Sequence, residues 1–364
     1  MADQNFTELL EQVGKRQKLV HNYLFEERNQ LKFAHPHLRD AAYSYIMAGG
    51  KSLRPAIVMF SCGAVGGDES WSIPAAAAIE LYHTFTLVHD DIIDRDAVRR
   101  GVPTVHTAFS DLARIQLDYD SQQSDHYGLT IAILAGDLQQ GLSAALMTDL
   151  HYSYNVPAEL SLFLIRQLFQ HTQLALINGE ALDVIQSQTP ISQIDETQVL
   201  DMLWQKTGAL YAFAAQAGAA IGLKQPDFEH PLIQSVGTFA SKCGTAFQLQ
   251  DDLLGISGKS AKIGKTVGAD IREGKRTVIV LHSYSNMTES EKQFTDSVLG
   301  NLDADEEKIN RLIDLLQAKG GITHTAKLAQ NYLDEAMEML YKLPDSEYRQ
   351  LMETWADYIL ARDK

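Results

Sequence analysis

Asp90, Asp91 and Asp94 stand in the run Leu87-Val88-His89-Asp90-Asp91-Ile92-Ile93-Asp94-Arg95-Asp96, with Arg99-Arg100-Gly101 just behind it. Asp90 and Asp94 are four residues apart and Asp91 and Asp94 three, so on a helix their carboxylates share one face. Like charges so placed cost roughly a few tenths of a kcal/mol per pair, and a helix C-terminus disfavours anions further. A divalent cation with oxygen ligands is the simplest compensation, and carboxylates facing a substrate phosphate are the usual setting for Mg²⁺. The alternative is a solvated acidic helix end paired with Arg95, Arg99 and Arg100. A second acidic end, Phe247-Gln248-Leu249-Gln250-Asp251-Asp252, lies far along the chain. If the two ends meet at one mouth of a bundle, their charge is tolerable only around cations. Lys51, Arg54, Arg99, Arg100, Lys206, Lys265 and Lys275 could then hold phosphate oxygens. Acids for metal plus bases for phosphate imply a diphosphate ligand. No Gly-rich P-loop pattern is present, which argues against nucleotide hydrolysis.

The elements that must position these residues read as helices. Ala75 to Asp94 contains no Gly, and Pro231 to Leu254 carries the second acidic end. Phe6 to Leu31 has apolar residues at helical spacing, and His37 to Met47 continues until Gly49-Gly50, a C-terminal signal. Lys51-Ser52-Leu53-Arg54-Pro55 then opens the run Ala56 to Val65. Two cations ahead of a Pro that can start a helix suit an anion site, and a basic surface loop is the alternative. Leu129 to Leu150 is helical with Gly136 inside it, where close packing of a neighbour would explain the Gly. Pro157 to Val184, Gln198 to Gly222 with Lys206-Thr207, Lys275 to Ser283, Ile309 to Leu316, Thr323 to Leu343 and Glu347 to Leu360 complete the helical set. Leu117 to Tyr127 is polar without periodicity and predicts an exposed loop, as does Gly255 to Gly274. No alternating run predicts a strand. No linker interrupts the pattern. The expectation is all-α, one domain over 1–364, a bundle of about ten or more helices around a central apolar cavity.

With 364 residues and 45% hydrophobic composition, the chain can bury a large core. Its formal net charge of -16 argues against nucleic acid as a partner, since phosphate backbones need a basic surface. Cys62 and Cys243 are far apart and in no metal spacing, which predicts free thiols in a reducing compartment. No signal peptide is visible, and the most apolar run, Tyr211 to Leu223, is too short to span a bilayer. The expected location is the cytoplasm.

These motifs resemble, in order, those of the trans-prenyltransferases of the isoprenyl diphosphate synthase (polyprenyl synthetase) family. The likeness runs from Gly49 to Arg362 and is closest to short-chain synthases such as geranylgeranyl and farnesyl diphosphate synthases. Asp90-Asp91-Ile92-Ile93-Asp94 matches the first aspartate-rich motif and Arg99-Arg100-Gly101 the basic pair after it. Gly49 to Pro55 resembles the isopentenyl diphosphate site, which implies that role for Lys51, Arg54, His83 and Arg100. Lys206-Thr207 and Lys265 resemble the groups that hold the allylic diphosphate. Phe247 to Asp252 matches the second aspartate-rich motif, and Gly268-Ala269-Asp270 through Gly274-Lys275 the basic loop behind it. There are two departures. Ser52 stands where the family most often has Arg, and Gly255 where the second motif often has a third Asp.

The resemblance implies three Mg²⁺ ions, two at the first motif and one at the second, with Mn²⁺ able to substitute. Asp90, Asp91, Asp94, Asp251 and Asp252 would be the ligands. It also implies head-to-tail condensation of isopentenyl diphosphate with a C5–C15 allylic diphosphate, release of diphosphate, and a homodimer. Asp90, Asp91, Asp94, Arg99, Lys206, Thr207, Gln248, Asp251 and Asp252 would carry the reaction. Arg99, Lys206, Thr207, Gln248 and Lys275 would also contact substrate. Phe85 precedes Asp90 by five residues, about 7.5 Å along a helix. Tyr82, Phe85 and Thr86 share a neighbourhood there. In the family an aromatic at Phe85 beside the smaller Thr86 resembles synthases of C20 products, with C15 next. The alternative is ordinary core aromatics. A class I terpene cyclase has no need of Lys51, Arg54 and Arg100, and a non-catalytic subunit has no need of intact aspartates at both motifs.

Overall fold

The computed structural model describes residues 2–26, 35–257 and 268–361. Its helices in chain order begin with α1 (Ala2–Leu24), α2 (Pro36–Met47), α3 (Leu53–Ala64), α4 (Ile73–Ile93), α5 (Val105–Gln116) and α6 (Ser121–Tyr154). Next come α7 (Ala158–Arg166), α8 (Gln173–Gln188), α9 (Glu196–Leu203), α10 (Ala209–Leu223) and α11 (Pro231–Ser257). The C-terminal part holds α12 (Ala269–Glu273), α13 (Val278–Ser285), α14 (Glu289–Val298), α15 (Glu306–Ala318), α16 (Gly321–Leu340) and α17 (Glu347–Ala361). The fold is all-α, as the periodicity predicts. Packing gathers the chain into two compact units, Met1–Ile165 with Ala217–Asp227, and Arg166–Gln216 with Phe228–Lys364.

In the first unit, α3 buries every residue except Arg54. A helix apolar all round belongs inside a core. α4 packs along α6, and Gly136 of α6 is what allows it, because a Cβ there would overlap the His89 ring. The predicted loop over 117–127 is wrong in its second half. Asp120 accepts from Gln123 N at 2.8 Å while Gln123 Oε1 accepts from Asp120 N at 3.3 Å, a capping box that starts α6 at Ser121. Its exposed first turns lack the apolar stripe that would have revealed them. The absence of strands also needs correction. Val98–Arg99 (β1) pairs antiparallel with Val102–Pro103 (β2) across Arg100 (φ 53°) and Gly101 (φ 79°). Two positive φ angles are what a two-residue hairpin turn requires, and two-residue strands leave no alternation to read.

In the second unit, Leu249 and Leu253 of α11 share a core with Val278 and Ile279 of α13 and Leu312 and Leu316 of α15. Trp355 of α17 closes another part of it against Tyr211 and Phe239, with ring centroids 5.4 and 5.8 Å away. π-helical turns, Gln167–Thr172 and Trp204–Gly208, join α7 to α8 and α9 to α10. Among the described residues one helix, α6, is long and apolar enough to cross a membrane by length and composition.

Candidate functional site

The first acidic motif lies at the C-terminal end of α4, as its spacing predicts, with Asp94 as the C-cap. Asp90 and Asp94 are partly exposed, whereas Asp91 is fully buried. Both Asp91 oxygens are committed to protein partners. Arg99 Nε donates to Oδ1 at 2.7 Å, and the Tyr45 hydroxyl donates to Oδ2. Arg99 Nη2 also reaches Asp90 Oδ2 at 3.4 Å. Tyr45 in turn accepts from Val105 N at 3.2 Å. Burial and the bond to Asp91 hold its phenol well above the ordinary value, so it stays a donor.

Of the cations predicted to bind an anion, Arg54, Arg99 and Arg100 gather beside this motif. Arg54 Nη1 lies 3.0 Å from His83 Nε2, and Arg100 Nη1 donates to the Gly49 carbonyl. A Cβ on Gly50 would overlap the Arg100 guanidinium, so the Gly pair does more than end α2. Burial, then Arg54, Arg100 and Arg99, push the His83 pKa well below its ordinary value. The imidazole is therefore neutral and accepts from Arg54. Lys51 is exposed in the loop before α3. Ser52, where the family motif has Arg, donates to Glu80 Oε1 at 2.7 Å and accepts from Gln17 Nε2 at 3.0 Å. Burial raises the Glu80 pKa. Ser52 thus fastens the start of α3 to α4 and α1.

In the second unit Lys206 and Thr207 occupy the π-turn after α9, a distortion frequent at functional sites. Gly179 of α8 lets that turn approach, because a Cβ there would overlap Lys206 N. Lys206 Nζ consequently rests on Asp183 at 2.7 Å and Glu180 at 2.8 Å. Thr207 Oγ1 donates to Gln248 Oε1 at 3.3 Å, and Gln248 Nε2 donates to Asp252 Oδ1 at 3.2 Å.

Asp252 is buried, and its pKa stands well above the ordinary carboxylate value because of burial and then the nearby Asp270. Gly255 explains the proximity. A Cβ at that position would lie 2.8 Å from Asp270 Oδ2, so the Asp270 carboxylate occupies the space beside the missing third acid. Gly268 N donates to Gly255 O at 3.2 Å and returns the chain to α11. Lys275 lies 3.9 Å from Asp270 and 3.1 Å from Glu273. Lys265 lies outside the described residues. Tyr82 and Phe85 pack edge to face, centroids 5.0 Å apart, and the Thr86 hydroxyl donates to His83 O at 2.8 Å.

The polyprenyl synthetase family model matches residues 35–316. The chain belongs to that family. It is 35% identical to a geranylgeranyl diphosphate synthase of Sulfolobus acidocaldarius, over 84% of each chain. It is 32% identical to a geranylfarnesyl diphosphate synthase of Aeropyrum pernix, over 90% of this chain and 95% of that one. A geranylgeranyl pyrophosphate synthase of Corynebacterium glutamicum, solved with isoprenyl diphosphate and magnesium, superposes with a TM-score of 0.81 at 26% identity, over 98% and 99% of the chains. For a polyprenyl synthetase, then, four residues escaped the sequence reading. Tyr45, Glu80 and Glu180 had no motif to mark them, being single polar residues in helical runs. Asp270 stood in a quoted motif, and its pairing with the small Gly255 was the available signal.

Proposed function

We propose that the chain is a trans-prenyltransferase condensing isopentenyl diphosphate with an allylic diphosphate of five to fifteen carbons, giving C20 geranylgeranyl diphosphate. The observation that carries the reading is the cluster of Arg54, Arg99 and Arg100 around a neutral His83, next to the carboxylates at the end of α4. Guanidinium groups recognise diphosphate, and adjacent carboxylates recognise the cations that accompany it.

The metal donors fit. Asp90 and Asp94, and Asp251 and Asp252 with Asp270 close by, offer hard oxygens only, the donor type that suits Mg²⁺ or Mn²⁺. The high pKa of Asp252 marks a place where added positive charge is favourable. In this reading Asp90 and Asp94, and Asp251 and Asp252, would hold the Mg²⁺ ions, three in all, which would supply the positive charge that eases ionisation of the allylic C–O bond. Asp91 keeps Arg99 in place. Arg54 and Arg100 hold isopentenyl diphosphate, with neutral His83 as the acceptor that orients Arg54. Lys206, steadied by Glu180 and Asp183, together with Lys265 and Lys275, holds the allylic diphosphate. Thr207 donates to Gln248, which leaves the hydroxyl lone pairs to face the allylic cation. The double bond of isopentenyl diphosphate attacks that cation, and the proton then lost passes to the released diphosphate. Aromatic Phe85 beside the smaller Thr86, the pattern that resembles C20 synthases of the family, supports a C20 limit to the growing tail. We also read the chain as one synthase domain acting as a cytoplasmic homodimer. Two free, buried cysteines suit a reducing compartment, and Leu129, Ile133 and Leu134 leave an apolar surface on α6.

The test is product analysis. Purified protein is incubated with Mg²⁺, isopentenyl diphosphate and each of the C5, C10 and C15 allylic diphosphates, and the dephosphorylated products are sized. A C20 alcohol from every primer is expected. A C15 or C25 product would overturn the role of Phe85 while leaving the reaction intact. No condensation with any primer would overturn the function.

A further inference from the structure

Glu196, His282 and His324 lie in the second unit and take no part in the proposed prenyl transfer. Glu196 is the first residue of α9, which is held by reciprocal bonds between Asp195 and Gln198 at 2.9 Å. His282 is in the last turn of α13, between buried Leu281 and Ser283, whose hydroxyl donates to Leu316 O at 2.9 Å. His324 is in the first turn of α16. One ligand atom from each of the three lies within 4.8 Å of the others. His324 Nε2 is 2.7 Å from Glu196 Oε2, and the two imidazoles stack with centroids 4.0 Å apart and 12° between planes.

We propose that Glu196, His282 and His324 bind a divalent transition metal of the zinc type, tying the first turns of α9 and α16 to the last turn of α13. Two imidazoles and one carboxylate are a ligand set zinc takes with water in the fourth position. The nitrogen donors separate this site from the all-oxygen aspartate motifs, which suit Mg²⁺. Stacked imidazoles repel when both are charged. Glu196 and His282 also line an open cleft of about 370 Å³ with Ser192, Asp195 and Lys292, which gives solvent access to two of the three ligands. Tetrahedral binding at zinc bond lengths brings donor atoms to about 3.3 Å from one another. One imidazole must therefore turn off the stack, and any proton on His324 Nε2 is released to solvent or moves to Nδ1.

The experiment uses the full chain in excess Mg²⁺, so that the aspartate motifs are occupied. Co²⁺ is titrated in as a spectroscopic stand-in, followed by displacement with Zn²⁺. The wild type should develop the intense visible bands of four-coordinate Co²⁺ at about one ion per chain, and Zn²⁺ should bleach them and raise Tm. His282→Ala, His324→Ala and Glu196→Gln should each weaken this binding by about tenfold or more. Absence of the bands in the wild type, or equal affinity in a His282→Ala protein with native circular dichroism, would overturn the site. If His324→Ala does not fold, His282→Gln carries the comparison.

Discussion

Tyr45 and Asp91 are forty-six positions apart in sequence and share one hydrogen bond in the interior. Removing that donor leaves a buried carboxylate oxygen short of a partner, which costs about 1–3 kcal/mol. Tyr45→Phe should therefore lower the unfolding free energy from a urea titration by that amount and reduce kcat, because Asp91, which holds Arg99, loses one of its two anchors; an unchanged stability would remove Tyr45 from the site. His83 makes a prediction about pH. Its folded pKa is depressed below the unfolded value of about 6.5, so below that pH the unfolded chain takes up the proton first. Stability that is present above about pH 6.5 is then lost as pH falls toward the folded pKa. Comparing urea midpoints at about pH 7.5 and 5.5, His83→Gln should show a smaller drop than wild type. That Asp90 and Asp94 end one helix was legible in the sequence because their spacing within one motif carries the signal. Tyr45, Glu80 and Glu180 were not, since only tertiary packing gives them partners.

At the scale of elements, helix existence was readable and helix detail was not. The runs that became α4, α11, α16 and α17 carried long periodic patterns, whereas the start of α6 depended on a capping box in a polar stretch. The π-turn at Trp204–Gly208 has no sequence signature that periodicity could reveal, yet it sets where Lys206 and Thr207 point. Gly179 is the contact that makes this geometry available. In Gly179→Ala the new methyl meets backbone rather than a flexible side-chain end, so α8 must withdraw. Such overpacking costs about 1–3 kcal/mol. The expected outcome is that loss in denaturant titration together with a raised KM for the allylic substrate. A raised KM without any loss of stability would mean that α8 accommodates the methyl in place.

At the scale of the molecule, a net charge of -16 coexists with uncovered apolar side chains on α6. Leu129 and Ile133, 37% and 47% exposed, share one face of α6 four residues apart, and Leu134, 45% exposed, lies next to them in the chain. If they form the homodimer contact, Ile133→Asp buries a charge there, and light scattering should show the mass falling to that of one chain. A mass unchanged from wild type would move the contact elsewhere. Nothing in the sequence pattern distinguished this surface from core, because an apolar residue at helical spacing reads the same whether its cover is its own chain or a second copy.

Gly255 and Asp270 meet at one point beside the second acidic motif. The Asp270 carboxylate reaches the space beside Gly255 that a side chain there would enter, so the two positions are coupled. Gly255→Asp alone crowds a second carboxylate against Asp270 and should reduce activity, and Asp270→Ser alone should reduce it by removing the acid. Together they should restore much of what each loses, a reciprocal suppression that steady-state rates of the four proteins would expose. An additive double variant would show that the two acids are not equivalent. If suppression holds, one carboxylate at this place does the work whichever of the two positions carries it.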